Sequence, residues 1–204
     1  MRTLGVLLAG GEGRRLGARA PKALVPCGGP TLFARALATV SALCDPVVVV
    51  APAGMELPVE AALRLADPPD AAGPLAALAV GLGSRAFEEA LVFAVDFPLV
   101  TPALLAALRA RRGDAAAVLP APGGIPQPLA AWYTPRALDP LAAALASGER
   151  SVVRAVLALA PALVDDGVLA TLPGGLDAWL NVNTPAALAE AERRLASASA
   201  REGA

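Results

Sequence analysis

Leu4-Gly-Val-Leu-Leu-Ala-Gly-Gly-Glu-Gly-Arg-Arg-Leu-Gly17, followed by Ala18-Arg-Ala-Pro-Lys22, decides how this chain is read. Residues 4–8 form a short unbroken apolar run, as a strand buried on both faces does. Gly10, Gly11 and Gly13 then let the backbone turn sharply and bring its N–H groups close to an anion with no Cβ in the way. Arg14 and Arg15 add positive potential over the same concavity. The stretch ends at Lys22, the only lysine of the chain. An ammonium is a compact charge that can move with a phosphate, whereas guanidinium is a planar fork suited to static pairing, so a lysine kept among arginines points to phosphate chemistry. Other phosphate loops do not fit. The dinucleotide fingerprint needs G-x-G-x-x-G, and Gly11-x-Gly13-x-x-x-Gly17 is one residue too long; the P-loop needs Gly-Lys-Ser/Thr, and Lys22 lies between Pro21 and Ala23. The plain alternative is an ordinary strand-to-helix turn carrying surface arginines.

Further apolar runs at 46–51, 91–95 and 115–119 are short, rich in valine and leucine, and bounded by Pro, Gly or Asp. Helical stretches at 31–43, 74–84 and 102–112 alternate with them, which predicts a doubly wound α/β domain with a mostly parallel sheet. Ligands in such sheets bind beyond the carboxyl ends of the strands, where the loop at 9–22 and Asp96 both fall. After residue 120 the alternation loosens. A proline-rich connection over 120–128 leads to a strand at 129–133, helices near 135–146 and 151–158, a strand at 162–165 and a last helix over 185–196. Thr184 is the N-cap candidate of that helix and Pro185 its first residue. The expectation is one domain over 1–196 with a frayed tail over 197–204.

Composition excludes several functions. The formal net charge is −1 and aromatics are 3%, so neither a basic field nor a stacking platform for nucleic acid exists. No apolar run approaches the roughly 18 residues of a membrane span, and the N-terminus lacks a secretory pattern, so a cytoplasmic protein is expected. With no histidine in the chain, Ser-His-Asp, Cys-His and Cys/His zinc chemistry are all absent. Cys27 and Cys44 read as small buried hydrophobes. Chemistry must run on carboxylates, Lys22, arginines and backbone N–H groups, with or without a hard metal ion.

Four groups can carry it. Asp96, in Leu91-Val-Phe-Ala-Val-Asp-Phe-Pro98, ends a buried strand, as a Mg²⁺ ligand would; it could otherwise cap the helix near 102, for which Thr101 is better placed. Asp67 closes Leu63-Arg-Leu-Ala-Asp67 and precedes Gly73-Pro-Leu-Ala, a preorganised helix N-terminus, whereas Asp70 reads as a turn residue. Asn181 and Asn183, the only asparagines, lie two apart in an extended segment and share a face; the alternative for them is an Asx-turn into the last helix. Gln127, the only glutamine, sits in the proline-rich loop.

Leu8-Ala-Gly-Gly-Glu-Gly-Arg-Arg-Leu-Gly17 with Pro21-Lys22, then Gly73-Pro-Leu-Ala76, Asp96-Phe-Pro98 and Asn181-Val-Asn-Thr-Pro185 occur in that order. Together they resemble the molybdenum cofactor guanylyltransferase (MobA) family, over residues 4 to about 195. The resemblance implies a three-layer α/β/α, Rossmann-like nucleotide-diphospho-sugar transferase (GT-A-like) fold and transfer of GMP from GTP to the phosphate of molybdopterin or molybdenum-molybdopterin. It implies that Leu8, Ala9, Gly10 and Gly11 wrap the nucleotide, that Lys22 contacts its phosphates, that Asp67 helps hold guanosine and that Asp96 binds Mg²⁺. Lys22, Asp96 and Arg15 are then the catalytic candidates, and Asn181, Asn183 and Arg150 face the acceptor. Molybdoenzymes or cofactor-insertion proteins are the implied protein partners. The family also contacts the nucleotide at the end of the second strand, here Val50 and Ala51, where only backbone is on offer; Ala77 replaces a common glycine. Two rivals stay open: a related nucleotidyltransferase using CTP, a sugar phosphate or cobinamide phosphate, and a non-catalytic nucleotide-binding domain. Retention of both Lys22 and Asp96 argues against the second.

Overall fold

Unbroken runs of valine, leucine and alanine have no polar face to show to water, and in the computed structural model of the chain they form the inner strands of one sheet. The structure describes residues 2–11, 13, 16, 20–58, 63–66 and 73–202. Among these, strands β1 (Thr3–Leu8), β2 (Val47–Ala51), β3 (Leu63–Ala66), β4 (Glu89–Ala94), β5 (Ala117–Pro120), β6 (Ala130–Tyr133) and β7 (Ala162–Val164) lie in the order β3-β2-β1-β4-β6-β5-β7. Every pairing is parallel except those of β6, which runs antiparallel to both β4 and β5. Leu8 sits beside Ala94, so the chain leaves β1 and β4 at the same edge and at the same height.

Helices α1 (Leu32–Ser41), α2 (Pro74–Gly83), α3 (Pro102–Arg109), α4 (Leu138–Ala146), α5 (Val152–Leu157), α6 (Asp166–Leu169) and α7 (Pro185–Glu202) complete the domain. The period-2 alternation of the strands divides the core into two layers. Leu4, Val6 and Leu8 join Val48, Val50 and Val92 against Leu75, Leu78 and Leu82 of α2, Leu141 of α4 and Val156 of α5. On the other face Leu7, Val49, Leu91 and Phe93 pack against Phe33 of α1, Leu104 and Leu108 of α3 and Ala191 of α7. Each buried leucine, valine or phenylalanine among them contributes roughly 1.5–3 kcal/mol through burial. The result is the expected three-layer α/β/α architecture.

Two glycines set how closely the helices approach the first strand. A Cβ at Gly5 would lie 2.5 Å from Val40 Cγ1 of α1, and one at Gly81 of α2 would lie 2.2 Å from Val6 Cγ1. Four helix starts are fixed by hydroxyls: Thr31 accepts from Ala34 N–H, Thr101 from Leu104 N–H, Ser151 from Arg154 N–H and Thr184 from Ala187 N–H. Among the described residues no helix is long and apolar enough to cross a membrane.

Several boundaries differ from expectation. α7 continues to Glu202, so residues 197–202 are helical where a frayed tail was expected. No proline or glycine interrupts this alanine-rich stretch before Gly203. The helix expected over 135–146 opens with a separate 3-10 turn at Pro135–Ala137. α3 stops at Arg109, and both Arg109 and Arg112 reach Glu89 at the start of β4. β3 and α6 were not expected: both are four residues long, too short to show a period.

Candidate active site

β1 and β4 release the chain side by side, and each is carried one residue further by its neighbour. Ala9 N–H donates to Val50 O at 2.9 Å, and Val95 N–H to Leu8 O at 3.3 Å. Two residues beyond β4, Asp96 therefore stands next to the start of the glycine loop. Gly11 has φ +116° with open space where a Cβ would project, a backbone state that L side chains rarely adopt. Gly13, at φ +64°, lies so close to Lys22 that a Cβ would be 3.2 Å from its backbone nitrogen. Gly13 thus lies against the backbone of Lys22, which opens a short 3-10 turn, Lys22–Leu24.

Lys22 is only 5% exposed. Its ammonium donates to Asp96 Oδ1 at 2.8 Å and to Asn183 Oδ1 at 2.5 Å. Asn183 Nδ2 in turn donates to Asn181 Oδ1 at 2.6 Å. The asparagine segment is tied to the same place through the main chain, because Val182 N–H donates to Asp96 O at 2.9 Å. Val182 is fully buried, so the flanking amides project from the opposite side, as the spacing predicts. Beneath the polar groups, the Phe97 ring meets Trp179 edge-on at 6.2 Å and Phe93 at 6.4 Å. This aromatic cluster locks the residue after Asp96 to the turn before Asn181.

Thr101, not Asp96, caps α3, and Thr184, not Asn183, caps α7. The strong carboxylate and both amides are therefore left for the crevice. α2 begins at Gly73, φ +110°, followed by Pro74, with no side chain capping it. Among the described residues no side chain caps its first N–H groups, which can therefore serve an anion or a ring carbonyl. β3 leads toward Asp67, which lies outside the described residues, as do Arg14, Arg15 and Asp70.

Other candidates stand apart from the cluster. Val50 O is already used by Ala9 N–H, and Val50 and Ala51 are both fully buried. Gln127 Nε2 turns back to Ile125 O within its own loop. Arg150 donates to Glu149 O, and its own carbonyl lies 3.5 Å from where a Gly73 Cβ would sit. Among the described contacts it thus sits beside the start of α2 and makes none with the asparagines. The loop holding it is pinned by Glu149, whose carboxyl is pulled down to about 2 by Arg154 and by the N–H groups of Ser151 and Arg150. Phe97 and Trp179 were not singled out in the sequence, although in a chain with 3% aromatics their adjacency to Asp96 and Asn181 is the signal that could have found them.

A cavity of about 930 Å³ opens elsewhere, between α1, the start of α3 and α7, lined by Arg35, Thr101, Arg193 and Arg194 among others. None of Lys22, Asp96, Asn181 or Asn183 lines it. Its arginines are tied to Cys27 O, Gly28 O, Glu190 and Asp177. Convergent, mutually bonded polar groups at the carboxyl edge of the sheet mark the better site.

Residues 5–162 match the MobA-like NTP transferase domain. A "probable molybdenum cofactor guanylyltransferase" of Chloroflexus aggregans is 38% identical over 160 residues, 76% of each chain. A relative of the same name from Opitutus terrae is 38% identical over 161 residues, covering 76% of this chain and 78% of its own. Among solved structures, molybdopterin-guanine dinucleotide biosynthesis protein A from Archaeoglobus fulgidus superposes with TM-score 0.76 at 25% identity, covering 95% of this chain and 99% of that one. The 2-C-methyl-D-erythritol 4-phosphate cytidylyltransferase of Thermus thermophilus gives TM-score 0.72 at 25% identity, covering 95% and 98%.

Proposed function

Since the chain belongs to the MobA-like NTP transferase family, we propose that it transfers GMP from GTP to the phosphate of molybdopterin or molybdenum-molybdopterin, releasing pyrophosphate. The observation that carries the proposal is the Lys22–Asp96 pair held at the carboxyl edge of the sheet beside a glycine loop. In this reading an acceptor phosphate oxygen attacks the α-phosphorus of GTP in line, the new P–O bond forms, and the bond to the β-phosphate oxygen breaks. An ionised phosphate needs no base to act, so a chain without histidine loses nothing. No protein nucleophile takes part, and the residues contribute position and charge.

Backbone N–H groups at Gly10 and Gly11 face the phosphates, and the Lys22 ammonium follows charge onto the departing pyrophosphate. The uncapped start of α2 receives the base or a phosphate oxygen. A divalent ion fits the residues present: Asp96 commits one oxygen to Lys22, its side chain is 26% exposed, and a single carboxylate is the usual protein share of a Mg²⁺ site completed by phosphate oxygens and water. Bound there by Asp96, Mg²⁺ would neutralise charge on the phosphate oxygens. Arg15 and Asp67 are assigned to the phosphates and the guanosine, and Asn181, Asn183 and Arg150 to the acceptor side. We read the chain through the end of α7 as one nucleotidyltransferase domain acting in the cytoplasm, with molybdoenzymes or cofactor-insertion proteins receiving the product.

Pyrophosphate release measured with each NTP in turn, Mg²⁺ and molybdopterin tests the assignment. GTP should support turnover and CTP should not. A cytidylyltransferase is nearly as similar in fold, so preference for CTP, or turnover only with an alditol phosphate acceptor, would overturn the proposal.

A further inference from the structure

We propose that Asn181 and Asn183 are positioning residues for Lys22, two amides in series that hold its ammonium at the phosphate-facing edge of the sheet. The chemistry of the groups fixes the polarity of the series. An ammonium can only donate, so Asn183 must present its carbonyl oxygen to Lys22, as it does at 2.5 Å. That turns Asn183 Nδ2 the other way, where it needs an acceptor, and Asn181 Oδ1 supplies one at 2.6 Å. Asn181 is then left with its NH₂ group at the outer end of the series. Among the described residues that group has no protein partner, so it is the end that can meet an anionic acceptor.

This arrangement divides the work of the pair differently from two equivalent acceptor contacts. Asn183 spends its oxygen on the lysine and one N–H on Asn181, and its main-chain neighbour Val182 is bonded to Asp96 O. Asn183 therefore acts through Lys22, and Asn181 acts by holding the Asn183 amide in the only orientation that suits an ammonium. Without Asn181 the Asn183 amide is free to turn its NH₂ toward Lys22, placing donor against donor. The consequence for turnover rests on the phosphate-transfer reading above, whereas the positioning itself does not.

A chain with one lysine allows a direct test. Protein labelled with ¹⁵N,¹³C-lysine gives one side-chain signal, and the exchange rate of its ammonium protons reports how firmly Lys22 is held. Asn183→Leu should speed this exchange by about tenfold or more, and so should Asn181→Ala, which removes no atom hydrogen-bonded to Lys22. Asn181→Asp keeps an acceptor facing Asn183 and should hold exchange within about twofold of the parent, a rescue that loss of a purely structural amide does not predict. Melting curves of the three variants show that each is folded. Turnover with GTP adds a second arm: Asn183→Leu should lower it about tenfold in the parent and less than about twofold in a Lys22→Ala background. Unchanged exchange in folded Asn181→Ala, fast exchange in folded Asn181→Asp, or equal turnover losses in both backgrounds would overturn the proposal. Should GTP support no turnover in the parent, the functional reading fails while the exchange arm still decides the positioning.

Discussion

Asp96→Asn should cost stability as well as activity. On sequence grounds this is a shape-preserving change that leaves melting near normal, but the structure puts the carboxylate 2.8 Å from an ammonium that is itself 5% exposed. At that distance and an effective dielectric near 20, the gross attraction is roughly 6 kcal/mol. Most of it offsets the dehydration of Lys22, and the replacement amide still offers a hydrogen-bonding oxygen. Exposed pairs contribute up to about 1 kcal/mol, and breaking a fully buried pair costs about 3–5 kcal/mol. With one partner buried and the other 26% exposed, the net loss should be roughly 2–3 kcal/mol. For a domain of this size that lowers Tm by about 5–10 °C. The orphaned ammonium is the cause, so Lys22→Met in the same chain should return most of the loss and make the two substitutions non-additive by about 1 kcal/mol or more. Thermal and urea unfolding of the parent, both single variants and the double variant, without nucleotide, provide the measurement. A single Asp96→Asn variant melting with the parent, or strict additivity in the double variant, is incompatible with an orphaned Lys22 ammonium. Activity should collapse in all three variants whatever their stability.

Lys22→Ala should lower turnover more than GTP affinity, by roughly a further 2–4 kcal/mol in transition-state terms; equal losses in kcat/KM and in binding measured by titration would reduce Lys22 to an anchor. Gly81→Ala should destabilise by about 1–2 kcal/mol, because the clash with Val6 exceeds the helix-propensity gain of about 1 kcal/mol. Gly83→Ala in the same helix meets nothing within 4 Å and should be neutral or stabilising in the same urea titration. Glu149 titrates near 2 in the folded chain against an ordinary 4.5, so its contribution is present above the ordinary value and disappears as pH falls toward 2. Glu149→Gln should flatten that acid arm of a Tm-against-pH curve. Cys44 moves the other way: burial raises its thiol from 9.0 to about 12, so its contribution is full below 9 and is lost as pH climbs toward 12. Cys44→Ala should flatten the alkaline arm, and the native thiol should resist alkylation at neutral pH until the chain unfolds.

The fold was legible wherever burial on both faces left a continuous apolar signal. The runs at 4–8, 46–51 and 91–95 became β1, β2 and β4 within two residues, and the threonines at 101 and 184 start the helices they were expected to start. β3 was not legible, because Leu63-Arg-Leu-Ala66 is short and carries a charge, and pairing with β2 is what makes it a strand. The reversed direction of β6 leaves no mark in its composition, since a buried strand reads the same whichever way it runs.

At the site, the chemistry of the individual residues is legible along the chain. A single lysine, no histidine, glycines able to take positive φ, a carboxylate ending a buried strand and two asparagines on one face are local properties that need no partner to be recognised. What those groups do to one another depends on packing between distant parts of the chain. Lys22 and Asn183 are separated by 161 positions, and nothing along the chain encodes that an ammonium is paired with Asp96 and steered by an amide relay. That outcome follows from parallel strands ending at one edge, from the Phe97–Trp179 contact beneath them and from the Val182–Asp96 main-chain bond. Each is a long-range contact whose geometry exists only after both layers of the core have packed.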